Sequence, residues 1–505
     1  MTDQALHDSL SQLSRRRLLG VLATSLSGLT LAACGGSSGN ATTTGSTAAV
    51  TAAGANTSKA SSGTGTVAAT TSAKAGAAAS APALGAQTIS WLMRSSPVEN
   101  PWEEKQVIPG FATVQPGIKV QLIVTPANQV DPKLTTMIAS GTPPDIFSEF
   151  GQAGFGDYYL RGILRELTPL INRDHFDMGR FLPGIPELYQ RGGKYYHMPQ
   201  VTNFGVMLFY NKQLFDAAGV SYPPASWDDA SWTWDAMMAA AAKLTKNVGQ
   251  GANAQYGLDL GQLQNVYMSA YLWGGDPWLP EQYTTGLAPS SNLTAAPVVA
   301  SVQAVADGYY KQRVSPSAAD AQALSQLGNI FATGKIGMTM GLPTQAYGNY
   351  KSAPFKWGIA PLPKQVSNKH AVFNGCWFIE QESKHVDASW EFLKYLVSDT
   401  AATVMSTSTG FVAPLQTAVA PWLQLFEGPT GMKPADIKTV IVDSNKNSVE
   451  NVNHLFANWT EIANTLTQST SALWLGKATA QSALTAAKGP VDAVLSKTYN
   501  TYQKK

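Results

Sequence analysis

Ile118, Val120, Leu122 and Val124 repeat at period two, so residues 117–124 predict a strand with one buried face. Apolar stretches at 88–93 and 145–148 predict strands before and after it. Helices fill the gaps. One covers 102–111; a second opens at Asp131-Pro132, carries a stripe of Leu134, Met137 and Ile138, and stops at Gly141. Strand, helix, strand, helix, strand is the signature of a parallel sheet covered by helices. Further on, residues 234–244 and 387–405 predict helices, the second with Trp390, Leu393, Tyr395, Leu396 and Val397 on its apolar side. From Asn451 onward the pattern is mostly helical, and Pro- and Gly-rich punctuation at 221–227, 274–280 and 360–364 marks loops.

Before residue 87 the pattern is of another kind. Ser14-Arg15-Arg16-Arg17 leads into an uncharged, mostly apolar run from Leu18 to Ala33, which ends in Leu31-Ala32-Ala33-Cys34. A basic head, a short apolar run and small residues before a cut site make an export signal. The run is shorter than the roughly 20 residues of a membrane span. The paired arginines look like a twin-arginine signal. Leu-Ala-Ala-Cys resembles a bacterial lipobox, which implies a signal peptide over 1–33, cleavage before Cys34, and acylation of Cys34. Residues 35–86 are nearly all Gly, Ala, Ser and Thr, with no aromatic residue and two charges, Lys59 and Lys74. Such a segment buries too little apolar surface to offset its ordering entropy, so 34–86 reads as a lipidated Cys followed by a disordered linker. As a flexible coil it spans about 40 Å root-mean-square, from roughly 5–6 Å times the square root of its length. The expected place of work is the extracytoplasmic face of the cell membrane, with the body tethered through Cys34.

The body from Gln87 to Lys505 is long enough for two domains. With 13% charged residues and a net charge of +2 over 505 residues, it presents no basic field for nucleic acid. Cys376 is the only cysteine besides Cys34, so no intrachain disulfide is expected in the body. The six histidines are scattered without metal-ligand spacing, and no metal or cofactor is expected.

Several segments resemble, in order, the extracellular solute-binding proteins of ABC sugar importers, of the maltose-binding-protein type. Pro116-Gly117-Ile118-Lys119-Val120 is similar to the family's second strand, and Leu134 through Gly141-Thr142-Pro143-Pro144-Asp145-Ile146-Phe147 to its helix–strand corner. Gly193-Lys194-Tyr195-Tyr196-His197-Met198-Pro199 and Leu208-Phe209-Tyr210-Asn211-Lys212 resemble the region of the first interlobe crossing. Trp232-Thr233-Trp234-Asp235, the stretch 331–340 with Gly334-Lys335, and Trp357-Gly358-Ile359-Ala360-Pro361-Leu362-Pro363 follow in the family's order. The chain departs from the family at Asn374-Gly375, where paired glycines are usual, and at Gly341-Leu342-Pro343-Thr344, where Gly-Pro-Trp is common. The resemblance implies an α/β fold of the periplasmic-binding-protein type II, two lobes with a hinge and a ligand cleft between them. The expected division is 87–202 plus 341–405 for the N-terminal lobe and 203–340 plus 406–505 for the C-terminal lobe. It also implies a monomer that captures a mono- or oligosaccharide, hands it to the transmembrane subunits of an ABC permease, and performs no chemistry.

Candidate ligand residues combine flat apolar faces with hydrogen-bonding groups. Trp273-Gly274-Gly275-Asp276 places an indole beside two glycines and a carboxylate on a loop. Glu149 follows the third strand, where ligands of such folds bind. Arg94 ends the first strand, and Asn203 and Tyr210 flank the first crossing; Tyr210 suits bracing the hinge as well as touching ligand. Asn374, Gly375 and Trp377 stand at the family's cleft position, where Trp377 also suits a strand core. Two rival classes stand beside this reading. A secreted glycoside hydrolase needs two carboxylates about 5–10 Å apart in a cleft. A binder of a non-sugar solute needs several Arg or Lys for a polyol phosphate, or several carboxylates and aromatics for a polyamine. The anchor is tested by Cys34→Ala, which is expected to move the protein out of the detergent phase on partitioning; equal retention overturns the lipoprotein reading.

Overall fold

The computed structural model describes residues 85–149 and 153–503. The expected signal peptide, Cys34 and nearly all of the linker lie outside these residues. Besides a short hairpin of Gln190–Arg191 and Lys194–Tyr195, the described residues form two sheets, and the chain passes between them. In chain order, the strands are β1 (Gln87–Arg94), β2 (Ile118–Thr125), β3 (Ile146–Ser148), β4 (Met198–Gly205), β5 (Met207–Asn211), β6 (Met338–Gly341), β7 (Trp357–Ala360), β8 (His370–Ile379) and β9 (Ser448–Glu450). The helices that bear on the argument are α1 (Val130–Ala139), α2 (Phe155–Arg161), α3 (Trp234–Leu244), α4 (Val266–Leu272), α5 (Pro280–Thr285), α6 (Ala296–Tyr310), α7 (Val386–Leu396), α8 (Asp399–Thr409), α9 (Val452–Leu455), α10 (Trp459–Trp474) and α11 (Ala480–Tyr502).

The first sheet has the order β9-β8-β3-β1-β2, with β4 also paired to β8. β1 runs parallel to β2 and β3, as the alternating pattern predicts. β8 enters antiparallel to β3, with Trp377 opposite Ser148, so the sheet is mixed. Its core is aromatic. The Trp91 and Phe392 rings meet edge to face at 5.0 Å, and Trp390 of α7 is fully buried. The second sheet is β6-β5-β7, both neighbours antiparallel to β5. β7, expected in the N-terminal lobe's return segment, pairs here instead, and β4 runs on to Gly205 within the first sheet. The chain therefore changes sheets at Val206 rather than near 203, and returns after Ala360 rather than at 341.

The single helix expected over 387–405 is broken in two. Ser398 ends the first piece and caps the second, its hydroxyl accepting from Ala401 N at 3.3 Å. The helix expected at 102–111 is the middle of a longer helical stretch, Glu99–Trp102, Glu103–Val107 and Ile108–Val114, with a π turn over the central five residues. The helix over 234–244 stands as predicted, capped by Thr233, which accepts from Ala236 N.

The strand ends at both changes of sheet and the segment before β9 meet in one packed cluster. Gly205 N donates to Ser444 Oγ at 2.9 Å, and Val206 N to Ala371 O at 3.0 Å. The His370 ring stacks on Trp227 at 4.8 Å and 21°. A Cβ on Gly205 would sit 1.8 Å from His370 Nε2, so the crossing needs glycine for close approach rather than for its φ. Gly205→Ala is expected to lower stability by about 1–3 kcal/mol in denaturant melts, the scale of an overpacked core. Gly348→Ala, at an exposed helical position with open space around it, is the control and is expected to be neutral or stabilising.

Candidate functional site

Two strands of the first sheet end beside the middle of a third, and all three carry polar side chains into a buried cluster. β3 ends at Ser148 and is followed by Glu149. β8 carries Asn374. β9 ends at Glu450, and α9 follows at once with His454. Tyr189 joins them from the turn before the short hairpin of Gln190–Arg191 and Lys194–Tyr195. This is a strand-end location of the kind at which open α/β sheets bind solutes.

Glu450 is the best-satisfied member. Its Oε1 lies 2.8 Å from His454 Nδ1 and accepts from Tyr189 Oη at 3.0 Å and Asn374 N at 3.3 Å. Its Oε2 accepts from Asn374 Nδ2 at 2.5 Å. Tyr189 Oη also lies 2.8 Å from the Asn374 carbonyl. Glu149 is different. Its Oε2 accepts from Phe155 N, the first amide of α2, at 3.0 Å. Its Oε1 is buried with no hydrogen-bond partner and lies 3.8 Å from His454 Nδ1.

Burial dominates the titration of Glu149 and, with Glu450 nearby, pushes its carboxyl up to about 7 despite the opposing pull of His454. For His454 burial acts downward, but the two carboxylates outweigh it and hold the imidazolium above its ordinary range. Burial, then Glu450 and Glu149, drive the Tyr189 hydroxyl upward, and burial followed by the same carboxylates does so for the Cys376 thiol. Among the described residues no group of three or more His, Cys, Asp or Glu side chains is arranged to hold a metal ion.

The segment 452–457 is wedged between α2 and the end of α5. On one side lies α2. A Cβ on Gly154 would fall 2.5 Å from His454 Cα, and one on Gly156 1.8 Å from Leu455 O. On the other lies the end of α5. Gly286, at φ 80°, accepts from Ala457 N at 3.0 Å, and a Cβ there would fall 2.9 Å from Leu455 O. Beyond it, the Tyr283 and Phe456 rings meet edge to face at 5.2 Å.

The predicted site residues distribute unevenly over this frame. Glu149 and Asn374 meet in the cluster. Gly375 lines it from β8, where a side chain would press on Val201 and Gln200. Asp276 is held within the segment between α4 and α5: its Oδ1 accepts from Trp278 N at 2.9 Å and Tyr283 Oη at 3.0 Å, and Tyr283 in turn lies 2.7 Å from Tyr271 Oη. Trp273 closes α4 and packs edge to face on Trp234 at 4.9 Å, half-buried. Arg94 is ion-paired with Glu99 at 2.6 Å and lies over the Phe411 ring. Asn203 bridges β4 to the Phe373 carbonyl at 2.9 Å and accepts from Thr344 Oγ1 at 2.5 Å. Two candidates belong to the core instead. Trp377 is fully buried, its backbone held between β3 and β4. Tyr210 is buried against Phe215, Tyr222 and the face of Gly358. Sequence reasoning passed over Tyr189, Glu450 and His454. Glu450 and His454 stand four apart on what becomes a strand end and a helical turn, and that spacing was the available signal; Tyr189 carried none.

Residues 96–403 match the family model of the bacterial extracellular solute-binding proteins. A curated binding protein of Brucella abortus (strain 2308) is 27% identical over 398 residues, covering 78% of this chain and 90% of the relative. Among solved structures, an ABC substrate-binding protein of Listeria monocytogenes in complex with cycloalternan superposes with a TM-score of 0.67 at 22% identity, covering 81% of this chain and 99% of its own. Maltose-bound MalE3 of T. maritima superposes with a TM-score of 0.62 at 19% identity, covering 81% and 100%. The two-lobed α/β fold is common to them.

The raised Glu149 carboxyl has a signed consequence. Between about pH 4.5 and 7 the folded chain keeps a proton there that the unfolded chain has released, so stability falls as pH rises through that window. Raised His454 acts in the same direction, its contribution present at low pH and lost as pH climbs through its folded value. Glu149→Gln is expected to flatten this slope, read as denaturant midpoints from pH 4.5 to 7.5; parallel profiles for the two proteins overturn the assignment.

Proposed function

Because the chain belongs to the bacterial extracellular solute-binding proteins, we propose that it captures a carbohydrate outside the cell membrane and delivers it to the transmembrane subunits of an ABC importer. The observation that carries this reading is the family match over residues 96–403. It is supported by the solutes held by the two structural relatives, cycloalternan and maltose, both carbohydrates. In this reading the two sheets carry two lobes that swing about the cluster at Gly205, His370 and Ser444 and close on the solute from either side of segment 452–457. The lipid on Cys34 and the linker after it keep the body, a monomer, near its permease.

The site favours binding over hydrolysis. A glycosidase needs one carboxyl free to donate a proton and a second free to attack or to activate water. Glu450 is tied down by His454, Tyr189 and Asn374 and has neither freedom. The buried acceptors and aromatic rings suit a solute that offers hydroxyl donors and flat C–H faces.

A thermal-shift screen of the purified protein against mono- and oligosaccharides tests the reading. A cognate sugar at a hundred times its Kd is expected to add about 2.7 kcal/mol of stability. Chromatography is expected to return that sugar intact. Cleavage products that vanish in Glu149→Gln would establish the hydrolase instead, and a full carbohydrate panel without a shift overturns the carbohydrate assignment.

A further inference from the structure

The cluster around Glu149 leaves one of its carboxylate oxygens unmet. Glu149 Oε1 is buried and unbonded, and Asn374, whose Nδ2 is spent on Glu450, has an unbonded Oδ1. The nearest cation, His454, has its Nδ1 engaged by Glu450 at 2.8 Å, against 3.8 Å to Glu149. Arg191 does not supply the missing charge. Its guanidinium lies over the Phe155 ring at 4.7 Å, Nη1 donates to Gln190 O, and it forms no ion pair with Glu149. With both carboxylates ionised and His454 protonated, the cluster carries one uncompensated negative charge. A buried charge without a partner is strongly unfavourable.

We propose that the solute is an amino-bearing carbohydrate whose ammonium group binds Glu149. The proposal rests on the carbohydrate reading above and narrows it. A neutral hydroxyl can donate one hydrogen bond to Glu149 Oε1 but leaves its charge uncompensated, so Glu149 then keeps its proton. An ammonium supplies the missing positive charge together with an N–H donor for Glu149 Oε1. Entry requires segment 452–457 to part from α2 or from the end of α5, the two elements that hold it. The titratable groups facing Glu149 are His454 on α9, Glu450 at the end of β9, Tyr158 on α2, Tyr189 from the turn and Cys376 on β8. His454 is already charged, and the tyrosines and thiol stay neutral, which leaves Glu149 as the group that gives up a proton when the ammonium arrives.

Titration calorimetry on the intact protein at pH 6.5 tests this, with glucosamine, galactosamine and chitosan oligosaccharides against their N-acetylated counterparts and against maltose. At least tenfold tighter binding of an amino sugar than of its N-acetylated form is expected. Buffers of different ionisation enthalpy should then reveal a proton released on binding. In Glu149→Gln the preference should fall to within about threefold. The wild-type comparison stands by itself if that variant fails to fold. Equal or tighter binding of N-acetylated or neutral sugars overturns the amino-sugar proposal and leaves the carbohydrate reading intact. Binding of spermidine in place of every sugar overturns both, and so does the absence of binding by any amino sugar, N-acetylated sugar or maltose.

Discussion

The carboxylate of Glu450 holds the middle of this molecule together. It gathers a strand end, a helical turn, the long strand β8 and the Tyr189 turn around one buried charge, and each neighbour offers it a donor. A buried carboxylate is tolerable only when its lone pairs are met in this way. With Glu450 satisfied, the imidazole of His454 is oriented, Asn374 is fixed, and segment 452–457 is laid against α2. The position of Glu149 follows from that arrangement, and so does its unmet oxygen. The two carboxylates have opposite fates in one environment: one has its lone pairs met by four contacts, and the other keeps a buried oxygen without a hydrogen-bond partner.

The departures from the family's usual glycines acquire a physical reason here. Asn374 stands where a glycine is common, and its amide is what reaches Glu450 Oε2. A glycine could offer only its backbone N–H. Gly375, kept small, leaves room for Gln200, which lies 2.6 Å from the Ser148 hydroxyl beneath the cluster. At Gly341-Leu342-Pro343-Thr344 the threonine hydroxyl donates to Asn203. Both departures thus install side-chain hydrogen bonds at places where sheets and crossings join.

Much of the fold was legible because periodicity reports burial. The strand at 118–124 and the helix at 234–244 appear with almost the expected bounds; the helix has one buried side, but in the edge strand only Ile118 of the expected buried face is buried and Val124 is exposed. The break at Ser398 was not legible from the apolar stripe, because capping is a hydrogen-bond decision and the stripe continues on both sides of it. The antiparallel entry of β8 and the return of the chain after β7 depend on partners far along the sequence, which no local pattern encodes. The site shows the same division. Glu149 and Asn374 stood out by their place after or within strands. Trp377 looked equally suited to cleft or core, since a strand between two neighbours buries large side chains whatever its function. Tyr189 and Glu450 became important only when residues distant in sequence were folded together.

The order of strands in the first sheet bears on how this protein comes into being. β1, β2 and β3 are made early and can pair in parallel as soon as they emerge, but the exposed edge of β3 waits for β8, and β8 waits in turn for β9 near the end of the chain. Contacts of such long sequence separation form slowly, and an open strand edge invites pairing with other chains in the meantime. The cluster at Glu149 is therefore the last part of the molecule to form. A ribosome must release nearly the whole chain before Glu149 meets His454, so a truncated or stalled product carries an unsealed sheet edge, a hazard that falls to chaperones and proteases during synthesis.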